Sequence, residues 1–186
     1  PDDRYRVAAL RGAASAHHEA GRHDQAEALD RQAYELNVRL QGESNPMSGN
    51  LLWILADYDY RRLDFDAALE KHRRALEILR EVYGDSHIEI ARVRVHLAAS
   101  LAQIGRCEQA VDHARAALTI FEEGADPGRE TAEIRAVLVR TLLQCGKNAE
   151  ALEQALVGYE EMLEYMPNDS SHMLTVRRNI GVAFQR

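Results

Sequence analysis

Three histidines lie close together in the stretch HHEAGRH, at positions 17, 18 and 23. Imidazole is a common zinc ligand, and two histidines four residues apart on one helix can bind a single ion. His18 and His23 are five residues apart, and Gly21 predicts a turn between them. The spacing therefore favours no metal site.

Other residues that could support catalysis lack the neighbours that their chemistry requires. Gly146-Lys147 resembles the end of a phosphate-binding loop, but Thr141 stands where that loop has its first glycine, and Asn148 follows instead of Ser or Thr. Neither G-x-S-x-G nor S-x-x-K occurs in the sequence. We expect no catalytic residue and no cofactor in this segment.

Charge and composition narrow the classes of partner. The net charge is −7, whereas nucleic-acid binding needs a basic surface. The longest apolar run, LLWILA at 51–56, is too short to cross a membrane. These features predict a cytoplasmic protein that binds neither nucleic acid nor membranes. The basic residues are almost all arginine, a bias that is associated with bacterial genomes rich in G and C.

The chain repeats itself with a period of about 42 residues. GRCEQAVDHARAALTI, from Gly105, aligns with LDFDAALEKHRRALEI from Leu63, with GRHDQAEALDRQAYEL from Gly21 and with GKNAEALEQALVGYEE from Gly146. A period of this size indicates stacked structural units rather than one central core. Each unit contains two stretches with the spacing of amphipathic helices.

Small residues recur in register on the second helix of each unit. They form pairs seven residues apart: Ala26 and Ala33, Ala68 and Ala75, Ala110 and Ala117, Ala151 and Gly158. Both members of a pair lie on the same helix face, so we expect neighbouring helices to approach closely there. A glycine predicts a left-handed turn between the two helices of a unit, except in the second unit, where Leu63 stands in place of the glycine.

Paired helices, glycine turns, recurring alanines and the loop GDSHI at 84–88 resemble the tetratricopeptide repeat (TPR), and its kinesin-light-chain type in particular. The resemblance implies an all-α, right-handed superhelical solenoid of antiparallel helix pairs. It covers residues 1–186 as one domain, with units at about 2–43, 44–85, 86–126 and 127–168 and a partial unit at 169–186 that supplies the first helix of a fifth pair. The abrupt ends indicate a segment cut from a longer protein.

In this family the first helix of each pair lines a concave groove that binds other proteins. Carried over to this sequence, the groove residues are Arg11, Ser15, His18, Asn50, Trp53, Asp57, Tyr60, Arg92, Val95, His96, Ala99, Arg140 and Arg178. The asparagines of the family's carboxylate clamp are missing, so we do not expect a chaperone-tail ligand.

Two features of this groove have alternative interpretations. Trp53 and Tyr60 share one helix face, a composition typical of a binding anchor, but Trp53 could instead belong to the core. The arginines predict a basic groove for an acidic peptide, but they could instead pair with local carboxylates.

Cys107 is predicted to begin the second helix of the third unit, and Cys145 to end the first helix of the fourth. Antiparallel packing could bring the two thiols within reach of each other. Because a reducing compartment is the default for so few cysteines, we expect two reduced, partly buried thiols, with a disulfide as the alternative.

The sequence thus predicts a non-catalytic scaffold that binds a peptide or protein partner in its groove. The alternative is the sensor or docking arm of a larger bacterial signalling enzyme, such as a Ser/Thr protein kinase or a STAND-type NTPase. We also consider self-association through the last helix, where Ile180 and Phe184 would present apolar surface.

Overall fold

The structure is a computed structural model that describes residues 3–124 and 128–165 and the separate positions 174, 177, 178, 181 and 182. The described residues form helices joined by turns and contain no strand. The helices are α1 (Asp3–Glu19), α2 (His23–Gln41), α3 (Pro46–Arg61), α4 (Phe65–Tyr83), α5 (Ile88–Gln103), α6 (Cys107–Glu122), α7 (Arg129–Gln144) and α8 (Asn148–Tyr165). The predicted all-α fold of paired helices is confirmed.

The helices fall into two compact units, Pro1–Asp85 and Ser86–Arg186. In the first unit α1 packs on α2, α2 on α3, and α3 on α4. In the second, α5 packs on α6, α6 on α7, and α7 on α8, while α5 also contacts α7. The division falls at the predicted boundary between the second and third repeats.

Each pair is closed by a turn in which one residue has a left-handed backbone. Gly21, Gly105 and Gly146 have φ of 72°, 75° and 72°, and a Cβ atom at any of them would meet nothing within 4 Å. Backbone conformation, and not lack of space, therefore selects glycine. Leu63 makes the same turn with φ of 64°, so the second repeat is closed like the others.

The paired small residues are buried between the helices of both units. Ala26, Ala33, Ala68, Ala75, Ala110, Ala117 and Ala151 are all 0% exposed, and Gly158 is buried. In the second unit, Ala98 and Val111 pack with Leu142 and Ala151 in one cluster. The predicted close approach of helices is confirmed.

The cysteines correct one expectation. Cys107 begins α6 and Cys145 directly follows α7, as predicted, but the two residues are joined by a disulfide instead of remaining reduced. Their Cα atoms are 5.5 Å apart, which is within the normal range for this bond. Antiparallel packing places the start of one helix beside the end of the other.

The described positions near the C-terminus, among them Leu174, Arg178 and Val182, are helical, as the partial fifth unit predicts. Ile180 and Phe184, on which the predicted self-association depends, lie outside the described residues. None of the described helices combines the length and the apolar character that a membrane-spanning helix needs.

Candidate functional site

The predicted groove residues all lie in helical positions and all keep some exposed surface. Those of the first unit come from α1 and α3. Those of the second come from α5 and α7 and from the helical position Arg178. Each unit therefore presents its own set of first-helix side chains, whose role in binding stays a prediction.

In the first unit, α1, α2 and α3 enclose a cleft of about 220 Å³. Four predicted groove residues line it, namely Arg11, Ser15, His18 and Asp57, and five other residues complete its wall: Ala14, Asp30, Ile54, Tyr58 and Arg61. The lining thus combines apolar walls with two arginines, a histidine and two carboxylates. Such a mixture of apolar surface and a few polar groups is common in binding sites.

Asp30, which is only 4% exposed, brings a buried carboxylate to this cleft. The Tyr58 hydroxyl donates a hydrogen bond of 3.0 Å to its Oδ2, and Arg11 Nη1 approaches its Oδ1 at 3.5 Å. Burial raises the pKa of the Asp30 carboxyl and outweighs the opposing effects of Tyr58, Arg11 and His18. Burial, together with the hydrogen bond to Asp30, also raises the pKa of Tyr58.

Asp30 was missed by the sequence analysis because it lies on α2, a second helix, whereas the predicted groove residues all come from first helices. A signal was present: Asp30 lies four residues after Ala26 and three before Ala33, on the face that those alanines bury. A carboxylate at such a position needs buried hydrogen-bond partners. Tyr58 and Arg11 supply them.

Other predicted residues of α3 do not line this cleft. Trp53 is half-buried, whereas the neighbouring Leu52 is only 7% exposed. The Tyr60 ring packs edge-on against the ring of Phe65, with 5.3 Å between their centroids. Asn50 is also half-buried. The proposed Trp-Tyr anchor and the cleft are therefore different surfaces of the same unit.

The second unit places several predicted residues in local contacts. Arg92 pairs with Glu89 at 2.9 Å on its own helix and with Glu130 of α7 at 3.6 Å. Val95 packs beside the cluster of Ala91, Ala117 and Phe121. The remaining residues of this set are His96, Ala99, Arg140 and Arg178, of which the last two are exposed. For Arg11 and Arg92, the pairing with local carboxylates that the sequence left open does occur.

The turn between α1 and α2 brings two imidazoles together that the sequence separates by five residues. The rings of His18 and His23 meet edge-on with their centroids 5.0 Å apart. His17 instead accepts a hydrogen bond of 2.9 Å from Arg22 Nε. Two imidazoles fall short of the three or four protein ligands of a zinc site.

The Tetratricopeptide repeat family model matches residues 5–81 and 48–123. These matches span more than half of the chain, which therefore belongs to the tetratricopeptide repeat family. No curated protein matches the sequence at a significant level.

Solved structures with the same fold include kinesin-light-chain-type repeats. The TPR-like repeats of a kinesin light chain candidate from Podosopora anserina are 15% identical, with a TM-score of 0.82 over 97% of this chain and 86% of that one. BtubC (BKLC) from P. vanneervenii is 20% identical, with a TM-score of 0.83 over 98% of this chain and 75% of that one. A Rap protein complexed with Competence and Sporulation Factor is 16% identical, with a TM-score of 0.60 over 97% and 60% of the two chains. At these identities the similarity shows the fold alone.

Proposed function

We propose that this chain is a non-catalytic interaction module that binds a peptide or protein through side chains of its first helices. The observation that carries the proposal is the cleft of the first unit, where Arg11, Ser15, His18 and Asp57 converge from α1 and α3. Packed helices hold these side chains in place before a ligand arrives, so little conformational entropy is lost on binding.

The chemistry of the cleft favours an acidic segment of the partner. Arg11 and Arg61 both line it, and a guanidinium can form two parallel hydrogen bonds with one carboxylate. Asp30 already engages Arg11, but only at 3.5 Å and from the buried side. Arg61 is exposed at the rim, with one contact to His23 Nδ1 at 3.5 Å. The two arginines can therefore approach a carboxylate from different helices.

The experiment is a selection from a random peptide display library with the intact chain, followed by affinity measurement with the enriched peptides. We expect enrichment of Asp and Glu, and a loss of binding of at least about tenfold in Arg61→Ala. Arg73→Ala is the matched control, because Arg73 is an exposed arginine on α4 and does not line the cleft. Equal binding by both variants would place the site elsewhere, and a failure to enrich any sequence would count against a peptide-binding module.

The alternative, a docking arm within a bacterial signalling enzyme, has less support than the interaction module. A Rap protein whose structure was solved in complex with Competence and Sporulation Factor shares the fold. Turnover of ATP or GTP by the chain would contradict a purely non-catalytic role.

Self-association and a cytoplasmic location also remain proposals. In the second unit, α8 exposes Leu156 by 46% and Leu163 by 47%, an apolar surface that a second copy could cover. Light scattering across a concentration series tests this proposal, and Leu156→Glu should shift any dimer towards monomer. Disulfides are rare and usually transient in a reducing cytoplasm. Whether the Cys107–Cys145 bond is formed in the cell therefore bears on where the protein is located.

A further inference from the structure

The Cys107–Cys145 disulfide adds a second covalent link between two helix pairs that the polypeptide chain already joins. It connects the first residue of α6 to the residue that follows α7, across a sequence separation of 38. Glu130, near the start of α7, contacts Arg92 of α5. Helix α7 is thus held by an ion pair near its beginning and by a covalent bond at its end.

The disulfide lies where a small thiol can reach it. Both cysteines are only half-buried, and each follows or precedes a turn. Their sequence neighbours Arg106, Glu108, Gln144 and Gly146 are all exposed. Thiol–disulfide exchange requires the attacking thiolate to reach a sulfur atom, so the position of this bond permits the reaction in the folded protein.

The fold does not depend on a covalent bond at this place. In the first unit the corresponding positions hold His23, the first residue of α2, and Arg62, which directly follows α3, and these two residues cannot form a disulfide. In the second unit, Lys147 pairs with Glu108 at 3.1 Å, and Arg115 pairs with Glu150. With the apolar cluster of Val111 and its neighbours beneath, α6 and α7 would stay packed after reduction.

We propose that the Cys107–Cys145 disulfide is a reversible redox staple, meaning a bond that forms and breaks with the thiol–disulfide ratio of its surroundings. Its state sets the stability of the second unit. In the forward reaction, one cysteine thiolate attacks a low-molecular-weight disulfide such as oxidised glutathione and displaces one glutathione thiolate. The other cysteine thiolate then attacks the mixed disulfide, forms the Cys107–Cys145 bond and displaces the second glutathione. The protein loses two electrons and two protons, and oxidised glutathione becomes two reduced molecules. Excess thiol reverses the reaction.

Opening the staple releases the end of α7 from the start of α6. Closing a loop reduces the entropy of the unfolded chain, so reduction weakens the folded state relative to the unfolded one. A further consequence rests on the proposed function: α5 and α7 carry the predicted groove residues Arg92, His96 and Arg140, so reduction would also loosen the part of the groove that they line.

The test equilibrates the intact chain in glutathione buffers of different redox ratio and counts free thiols by alkylation and mass spectrometry. Hydrogen exchange and thermal unfolding are then measured at both ends of the series. We expect two thiols to become free together, the melting temperature to fall on the order of 10 °C, and exchange to rise at the start of α6 and the end of α7. Peptides from α1 and α2 should exchange alike in both forms.

The double variant Cys107→Ser/Cys145→Ser is the control. Its melting temperature and hydrogen exchange should equal those of the reduced chain and should not change with the redox ratio. Two thiols that stay free in oxidised glutathione would overturn the proposal, as would equal stability of both forms. Complete loss of protection across α5 to α8 on reduction would also overturn it, because the bond would then be a permanent structural requirement. These measurements need no ligand, so their outcome does not depend on whether the proposed peptide binding is correct.

Discussion

Leu63 occupies a backbone conformation that disfavours its side chain. It is the only non-glycine residue with positive φ in the part of the chain that the structure describes, and its side chain is 72% exposed. A residue with a Cβ atom is destabilised there by steric contact with its own backbone. Because the side chain buries so little, it gains little apolar contact in return.

Replacing Leu63 by glycine should therefore stabilise the protein. We expect Leu63→Gly to raise the free energy of unfolding by about 0.5–1 kcal/mol, since relief of the left-handed strain outweighs the greater entropy of glycine in the unfolded chain. Urea denaturation followed by circular dichroism measures this change. Gly105→Ala, at the equivalent turn, should lose at least about 1 kcal/mol. A lower free energy of unfolding in Leu63→Gly would mean that the leucine side chain makes a stabilising contact.

Glu27 gives the first unit a defined response to acid. Burial alone would raise the pKa of its carboxyl, but the hydrogen bonds from Arg62 and Arg31 outweigh burial and hold the pKa below its ordinary value of 4.5. A group whose pKa is lowered by folding stabilises the protein above its unfolded pKa, and this contribution is lost as the pH falls through the folded pKa.

Glu27→Gln should therefore be less stable than the wild type at pH 7, by up to about 1 kcal/mol, and the difference should shrink below pH 4.5. Urea denaturation at a series of pH values measures the difference directly. Glu35→Gln, an exposed position on the same helix, controls for the loss of one acidic side chain. A difference that persists unchanged to pH 3 would show that the ion pairs do not cause it.

At the scale of elements, the recurring pattern was sufficient to predict the helix pairs. Alanines in register and glycines at the turns report backbone geometry and packing distance, which depend on local sequence. The repeat also predicted which end of α6 meets which end of α7. It could not predict the redox state of the two cysteines, because a reducing compartment was assumed from their number.

The site was predicted less completely than the fold. Arg11 and Asp57, two of the predicted groove residues, line the cleft of the first unit, and their role in binding stays a prediction. Arg61 was missed although it lies one helical turn after Asp57 on α3. Asp30 was missed because its place in the cleft depends on contacts of α2 with α1 and α3. Gly158 shows the same limit: a Cβ atom there would lie 3.2 Å from Arg135 Cδ, a contact that the repeat pattern does not reveal.

Arg135 is a buried polar link between α6, α7 and α8 of the second unit. It is 6% exposed, and its guanidinium contacts Glu122 of α6 at 2.6 Å and both Gln154 and Glu161 of α8 at 2.8 Å. Burial would lower its pKa, but the hydrogen bonds with the two glutamates outweigh burial and raise it. The buried guanidinium is therefore charged and paired with two carboxylates.

Arg135→Ala should destabilise the protein by about 1–3 kcal/mol, less than for a fully buried pair, because Glu122 and Glu161 can regain water. Thermal or urea unfolding tests this value. Arg129→Ala, which removes an exposed arginine from the first turn of the same helix, should change stability by at most about 0.5 kcal/mol. Equal effects of both substitutions would show that the buried network contributes nothing beyond a surface ion pair.

At the scale of the whole molecule, the net charge and the cleft act on an acidic ligand in opposite directions. The chain carries a net charge of −7 and repels such a ligand over long distances, whereas Arg11 and Arg61 attract it at close range. The Debye length is about 30 Å at 0.01 M salt, about 10 Å at 0.1 M and about 3 Å at 1 M. Moderate salt therefore screens the distant charges while the contacts inside the cleft persist.

The affinity for a selected acidic peptide should consequently pass through a maximum near 0.1 M salt, where repulsion is screened and the arginine contacts are still effective. Calorimetric titrations from 0.01 to 1 M salt test this expectation. Arg73→Ala makes the net charge −8 without touching the cleft, so it should weaken binding mainly at low salt. Arg61→Ala should weaken it at every salt concentration up to about 0.1 M. If the two variants instead showed the same salt profile, only total charge would govern binding, and the cleft would not be where the acidic segment binds.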